Sequence, residues 1–184
     1  MDKSKENNME SFWHSTAHVV AEALTEIYPT AKIAIGPPIE QGFHYDFELD
    51  KSIKAENLKE IEKRMLKIIK QKSEMIQKDV SIDEAKELFK DNKYKIEMIN
   101  DLAAKGEITI STYTSGNFVD MCKGPHLQNV GEIGAHKLLK ISSAYWKGNK
   151  ENDQLQRVYG ISFKTKEEMK TWREAKEKAE ANDH

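Results

Sequence analysis

Two histidines one helical turn apart, His14 and His18, are matched far along the chain by a cysteine and a histidine at the same spacing, Cys122 and His126. Cysteine and histidine are the side chains that bind zinc, act as general bases and attack carbonyl carbon. If both pairs serve one site, the fold has to carry an N-terminal helix against a turn from the second half of the chain. No other feature limits the architecture so strongly.

Ser11 is placed to cap a helix running to about Tyr28, because Phe12, Val19, Val20, Ala23, Leu24 and Ile27 recur at helical spacing and Pro29 stops continuation. Residues i and i+4 share a helix face about 6 Å apart along the axis, so the imidazoles of His14 and His18 can converge on one atom. Cys122-Lys-Gly-Pro-His126 cannot be regular helix, since Pro125 disfavours helical geometry at Gly124 and removes a donor; it reads as a turn after a strand. Asp120 lies two residues before the cysteine, and strand alternation sets it on the same face, able to orient a histidine or bind a substrate amine. The residue types leave three readings open. The four groups can form a catalytic pocket, or a closed structural zinc site, or the histidines can be half-buried helix residues with Cys122 as a small core hydrophobe.

Lys32–Ile35 and Phe43–Phe47 read as strands around a Gly-Pro-Pro loop at Gly36–Pro38, with Phe43 and Tyr45 on one side. Leu58, Ile61, Met65, Ile68 and Ile69 form the apolar stripe of a helix over about Ala55–Ser73. Ser81 with Glu84, and Thr165 with Glu168, match the capping-box pattern that opens a helix. Strands are expected over Glu107–Thr112, Asn117–Asp120, Leu138–Tyr145 and Leu155–Ser162, the last two joined as a hairpin through Lys147–Asp153. Helices and strands without regular alternation give an α+β fold, a mixed or antiparallel sheet packed with helices. The expected domain plan is a disordered tail over residues 1–10, one domain over 11–164 with a small helical part around 52–92, and a linker helix over 165–184.

The 184 residues suffice for one well-buried domain and a small second layer, and 38% hydrophobic with 33% charged residues is a globular composition. A single cysteine excludes an internal disulfide and favours a reducing, cytoplasmic setting. No apolar run is long enough for a membrane span, and no secretory leader opens the chain. A formal net charge of -2 offers nucleic acid no global attraction, so RNA would have to meet a local patch. Residues 51–78 hold nine Lys or Arg against four Glu, which suits a phosphate backbone or a solvated helix face. Tyr145, Trp146, Lys147 and Arg157 mix aromatic and basic groups, a pattern that grips a nucleotide end or packs a core.

Five segments carry a resemblance. Phe-Trp-His-Ser-Thr-Ala-His (Phe12–His18), Ala-Ile-Gly-Pro-Pro-Ile-Glu-Gln-Gly-Phe-His-Tyr-Asp-Phe (Ala34–Phe47), Val-Asp-Met-Cys-Lys-Gly-Pro-His (Val119–His126), Ala-Tyr-Trp-Lys-Gly (Ala144–Gly148) and Leu-Gln-Arg-Val-Tyr-Gly (Leu155–Gly160) resemble the amino-terminal editing domain of bacterial threonyl-tRNA synthetases. Alanyl-tRNA synthetase editing domains share the paired spacing, but their cysteine turn is usually Gly-Gly-Thr where this chain has Lys-Gly-Pro. The resemblance implies the threonyl/alanyl editing-domain fold and hydrolysis of serine wrongly esterified to threonine tRNA. By the same resemblance His14, His18, Cys122 and His126 line the pocket, Tyr45 and Asp120 contact water and the substrate amine, and Lys95 in Tyr-Lys-Ile lies near the reacting end. The hypothesis drawn from it gives His14 a part in activating water, Lys95 the developing charge and Asp120 the serine ammonium. Zinc on His14, His18, Cys122 and His126 is an option that this chemistry does not require. The expected partner is the 3′ end of threonine tRNA carrying serine, with dimerisation left to further domains of a parent enzyme. Neither an ATP site nor an aminoacylation core is expected within these residues, as no phosphate-cradling glycine loop occurs. Two rivals stand beside this reading: a zinc-dependent hydrolase of small aminoacyl esters, and a non-catalytic, zinc-stapled tRNA-binding module.

Overall fold

A computed structural model describes residues 3–182. The first helix, α1 (Lys3–Ile27), is longer than its apolar spacing predicts. Ser11 lies inside it and not at its start, and the segment expected as a tail is helical from Lys3; Met1 and Asp2, also assigned to that tail, lie outside the described residues. Apolar side chains of α1 from Phe12 to Leu24 face a four-stranded antiparallel sheet of β1 (Lys32–Ile33), β2 (Phe43–Glu48), β6 (Ala135–Tyr145) and β7 (Gln154–Phe163), in the order β1-β2-β7-β6. Polar contacts fix the helix on β7: Trp13 Nε1 donates to the Ser162 carbonyl at 3.0 Å, and the Thr16 and Ser162 hydroxyls lie 2.7 Å apart.

Helix α2 (Leu58–Lys70) closes the same core with the predicted stripe of Leu58, Ile61, Met65, Ile68 and Ile69, all buried. A second core lies under a three-stranded antiparallel sheet, β3 (Met75–Ser81), β4 (Thr109–Ser115) and β5 (Phe118–Met121), where Val80, Ile110 and Met121 meet Ala85 and Phe89 near α3 (Ile82–Leu88) and Ile99 of α4 (Lys93–Ala104). Residues 52–92, expected as one small helical part, are thus divided: α2 and Met75 at the start of β3 belong to the first core, while Val80 of β3 and Ala85 of α3 belong to the second. The fold is α+β with antiparallel sheets packed by helices, as expected.

Caps and turns follow local chemistry. Ser81 and Thr165 accept the backbone N–H of Glu84 and Glu168, opening α3 and α5 (Lys166–Ala181) where the capping pattern predicts. The β6–β7 hairpin also forms as expected. Two elements lie outside the sequence expectation. Helix α4 begins at Asn92, whose side chain accepts from the N–H groups of Tyr94 and Lys95. Strand β3 buries only Met75 and Val80, too few apolar positions for an alternating signal.

Ile61 is fully buried between α1, α2 and the sheet. Ile61→Ala should lower the unfolding free energy by roughly 2–5 kcal/mol in urea titration, whereas Lys63→Ala on the exposed face of the same helix should change it by less than about 0.5 kcal/mol.

Candidate active site

The two motif pairs meet. His14 and His18 project from α1, and Cys122 and His126 come from the turn that follows β5; one ligand-type atom from each of the four lies within 4.8 Å of all the others. Cys122 Sγ stands 3.0 Å from His14 Nε2 and 3.0 Å from His126 Nε2, and it accepts the Gly124 N–H at 3.2 Å. Gly124 holds φ +72°, and a Cβ there would strike the Tyr113 ring, whose centroid lies 3.9 Å from that of His126. Glycine is therefore required at that position by both backbone and space.

Around this cluster runs a second, fully buried network centred on Asp120. Oδ1 faces Lys95 Nζ at 2.7 Å and accepts the Met121 N–H at 2.7 Å. Oδ2 accepts the Tyr45 hydroxyl at 2.7 Å and faces His18 Nδ1 at 2.7 Å. The Lys95 ammonium also donates to the Ala34 carbonyl at 2.6 Å. Thus all seven residues assigned to the site, His14, His18, Tyr45, Lys95, Asp120, Cys122 and His126, gather at one place. Each Asp120 carboxylate oxygen already has two partners, and these contacts hold Lys95 and His18 in place. Tyr45, 1% exposed, supports the same carboxylate, and its ring forms part of the cavity wall.

Charge follows from these contacts. Burial alone would push His18 down, but the Asp120 carboxylate outweighs it and raises the imidazole to about 9. Burial would likewise raise Asp120, yet Lys95 and His18 hold it well below the usual carboxylate range. Burial opposes a Cys122 thiolate, but the imidazoles of His126, His14 and His18 bring the thiol down to about 4. His126 is lowered to about 4, mainly by burial, and is neutral at pH 7. The site is an alternation of Lys95 cation, Asp120 anion, His18 cation and Cys122 anion.

A cavity of about 260 Å³ opens onto these groups. His14, His18, Tyr45, Lys95, Asp120 and Cys122 line it, with Met98, Met121 and the segment Ile35–Pro38. Gly36 packs so closely on the Tyr45 ring that a Cβ would overlap it. The cavity volume lies near the lower end of the roughly 300–1,000 Å³ of small-molecule sites.

The donor set could hold a metal ion. His18 Nε2 is buried without a hydrogen-bond partner among the described residues, and its Nδ1 faces a carboxylate, the arrangement of a metal-bound histidine with its orienting acid. The S···N separations of 3.0 Å are those of hydrogen bonds, somewhat shorter than the roughly 3.5 Å between neighbouring ligands on tetrahedral zinc.

Ser15 belongs to this site although no motif marks it. Its hydroxyl lies 3.1 Å from His126 Nδ1 and accepts the Leu127 N–H at 2.8 Å, tying α1 to the cysteine turn. The only signal is its position between His14 and His18. By contrast, the aromatic and basic residues near the hairpin are mostly committed internally. Trp146 is buried against Tyr94 and its indole N–H meets Glu97; Lys147 pairs with Asp101 at 2.6 Å, and Arg157 forms a two-pronged pair with Asp46 at 2.8 and 2.9 Å. The Trp146 and Lys147 contacts clamp α4, and so position Lys95.

Sequence comparison agrees with this geometry. The family described as "Threonyl and Alanyl tRNA synthetase second additional domain" matches residues 110–159, which include Asp120, Cys122 and His126. The fold and site thus define a domain of the aminoacyl-tRNA synthetase editing type. The chain is 47% identical to the threonine–tRNA ligase of Porphyromonas gingivalis over 178 residues, 95% of this chain and 27% of that protein. It is 47% identical to that of Clostridium perfringens over 174 residues, with the same coverages of 95% and 27%. With that of Borreliella afzelii the identity is 42% over 185 residues, 100% of this chain and 32% of the relative. The chain belongs to the threonyl-tRNA synthetase family as its editing-type domain, and spans about a quarter to a third of the length of these relatives.

Two measurements follow. An ordinary thiol near 8.5 loses about tenfold in alkylation rate per pH unit below its pKa, whereas Cys122, depressed to about 4, should react with iodoacetamide at a nearly constant rate from pH 6 to 8. His126→Ala should bring the pH dependence back. Asp120→Asn would strand the buried Lys95 cation and should cost about 3–5 kcal/mol in urea unfolding. Because the Asp120 pKa is lowered, its contribution is complete above the unfolded value of about 3.9 and is lost as pH falls below it.

Proposed function

We propose that this domain is an aminoacyl-tRNA deacylase that hydrolyses the ester of serine wrongly attached to threonine tRNA, in the cytoplasm, as the proofreading part of a threonine–tRNA ligase. The observation that carries the reading is the buried Lys95 ammonium held at the cavity wall by Asp120 and the Ala34 carbonyl, beside imidazoles able to move a proton. The need for such an activity is physical. Serine lacks one methyl of threonine, and one methyl(ene) supports only about 1–3 kcal/mol of discrimination, so a second sieve that admits the smaller group is required.

In the proposed reaction the ester carbonyl enters with its oxygen toward Lys95. His14, whose Nε2 lies against the Cys122 thiolate, takes a proton from water at its other ring nitrogen as the water attacks the carbonyl carbon. Negative charge developing on the oxygen is met by Lys95, already desolvated and fixed. The ribose hydroxyl leaves with the proton returned by His14, giving free serine and intact tRNA. Asp120 and Tyr45 act by holding Lys95 and His18. Rejection of the additional methyl of threonine is assigned to the part of the wall where Gly36 packs on the Tyr45 ring.

A second reading rests on the four convergent ligands. Zinc held by His14, His18, Cys122 and His126 would have a closed protein shell and would act as a structural staple. The two readings separate in one assay. The purified protein should deacylate seryl-tRNA at least about tenfold faster than threonyl-tRNA, with no loss after treatment with a chelator. Lys95→Met should lower the rate by about 10²–10³ and His14→Ala by about 10²–10⁴, both with melting curves showing a folded protein. Unfolding on chelation would favour the zinc staple, and absence of seryl-ester hydrolysis would remove the deacylase reading.

A further inference from the structure

The exposed face of α2 has no part in the site described above. Lys59, Lys63, Lys67 and Lys70 recur at intervals of four, four and three residues, which aligns them within one side of the helix over about 16 Å. All four are exposed, with Leu66 among them. Among the described residues, the ion pairs of this helix are Arg64 with Glu26 and Glu62 with Lys137, each at 3.9 Å; none involves the four lysines. Glu60 borders the row on one side; on the other, Glu62 is occupied by the Leu138 N–H. A protein of net charge -2 thus concentrates unneutralised cations on one side of one helix.

We infer that this row is a docking surface for the phosphate backbone of an RNA helix. Lysine ammonium groups on long flexible stems suit phosphates without demanding a base sequence. An anionic membrane is the other polyanion to weigh, but a helix lying in a membrane interface needs a free apolar face, and that of α2 is buried in the core. Helix α2 packs by its buried stripe against the core that α1 shares, which leaves the lysine row on the opposite side, open to a large partner. The inference rests on the deacylase reading only for which RNA is bound.

The test measures binding of a short RNA hairpin, carrying no amino acid, by fluorescence anisotropy at about 50–200 mM salt. Replacing Lys59, Lys63, Lys67 and Lys70 together by Gln should weaken binding about tenfold or more and reduce the slope of log affinity against log salt by about 3–4, near 0.9 for each phosphate no longer neutralised. The pair Lys63→Gln and Lys67→Gln should fall midway. A control replacing Lys166, Lys170, Lys176 and Lys178 of α5 by Gln should bind as the unaltered protein does. Equal binding by the fourfold α2 variant, or an equal loss in the α5 control, would overturn the proposal. So would preferential binding to phosphatidylserine vesicles that the α2 substitutions abolish. Hydrolysis of a small seryl ester should be unchanged in the α2 variant; if the unaltered protein lacks that hydrolysis while RNA binding still depends on α2, the catalytic reading fails and the surface stands.

Discussion

The structure turns on one carboxylate. Asp120 of β5 is met by Lys95 from α4, Tyr45 from β2 and His18 from α1, so four elements drawn from both sheets converge on two oxygen atoms. Removing a carboxylate and an ammonium from water costs several kcal/mol each, and the loss is offset only where every hydrogen-bonding direction is filled. Here it is nearly so, with the Met121 N–H and the Ala34 carbonyl completing the set. A pair of this kind does little for net stability. It serves instead to make one relative placement of the two cores far better than its neighbours, because a small shift would leave a charge buried alone.

That placement also sets the chemistry. Asp120 keeps His18 protonated, and His18 with two further imidazoles keeps Cys122 as a thiolate, so the charges of the site depend on one another in series. The hairpin between β6 and β7 supports the arrangement from outside, through Trp146 and Lys147 on α4. Residues whose composition suggests contact with a nucleotide end thus hold the helix that carries Lys95. The clamp involves an unusual backbone, Lys147 at φ +56°, at the point where its ammonium reaches Asp101.

Much of this is legible because some residues announce their geometry. His14 and His18 at i and i+4 can only face the same way on a helix, and Pro125 excludes helix at the cysteine turn, so each half of the site can be drawn without knowing that the halves meet. The stripe from Leu58 to Ile69 and the caps at Ser81 and Thr165 are equally direct. Helix α4 is absent from the expected elements although Asn92, then Tyr94, Met98, Ile99 and Leu102, then Gly106, supply a cap, a periodic face and a stop. Without that helix, Lys95 can be placed only through resemblance. Ser15 and the Ala34 carbonyl act through contacts with sequence-distant partners, and nothing local distinguishes them. The apparent cap at Ser11 fails for a related reason: helix propensity continues through the polar residues before it, so a good capping residue lies within a longer helix.

The wall at Gly36–Pro38 has an evolutionary side. A cavity bounded by side chains can be enlarged or narrowed by single replacements, each a small step. Here the options are fewer: Gly36 cannot gain a side chain without displacing the Tyr45 ring, and the two prolines that follow fix their own torsions. Mutation therefore has few gradual routes to a different cavity shape here, and descendants of this domain would be expected to keep the shape of this wall or to lose the site altogether.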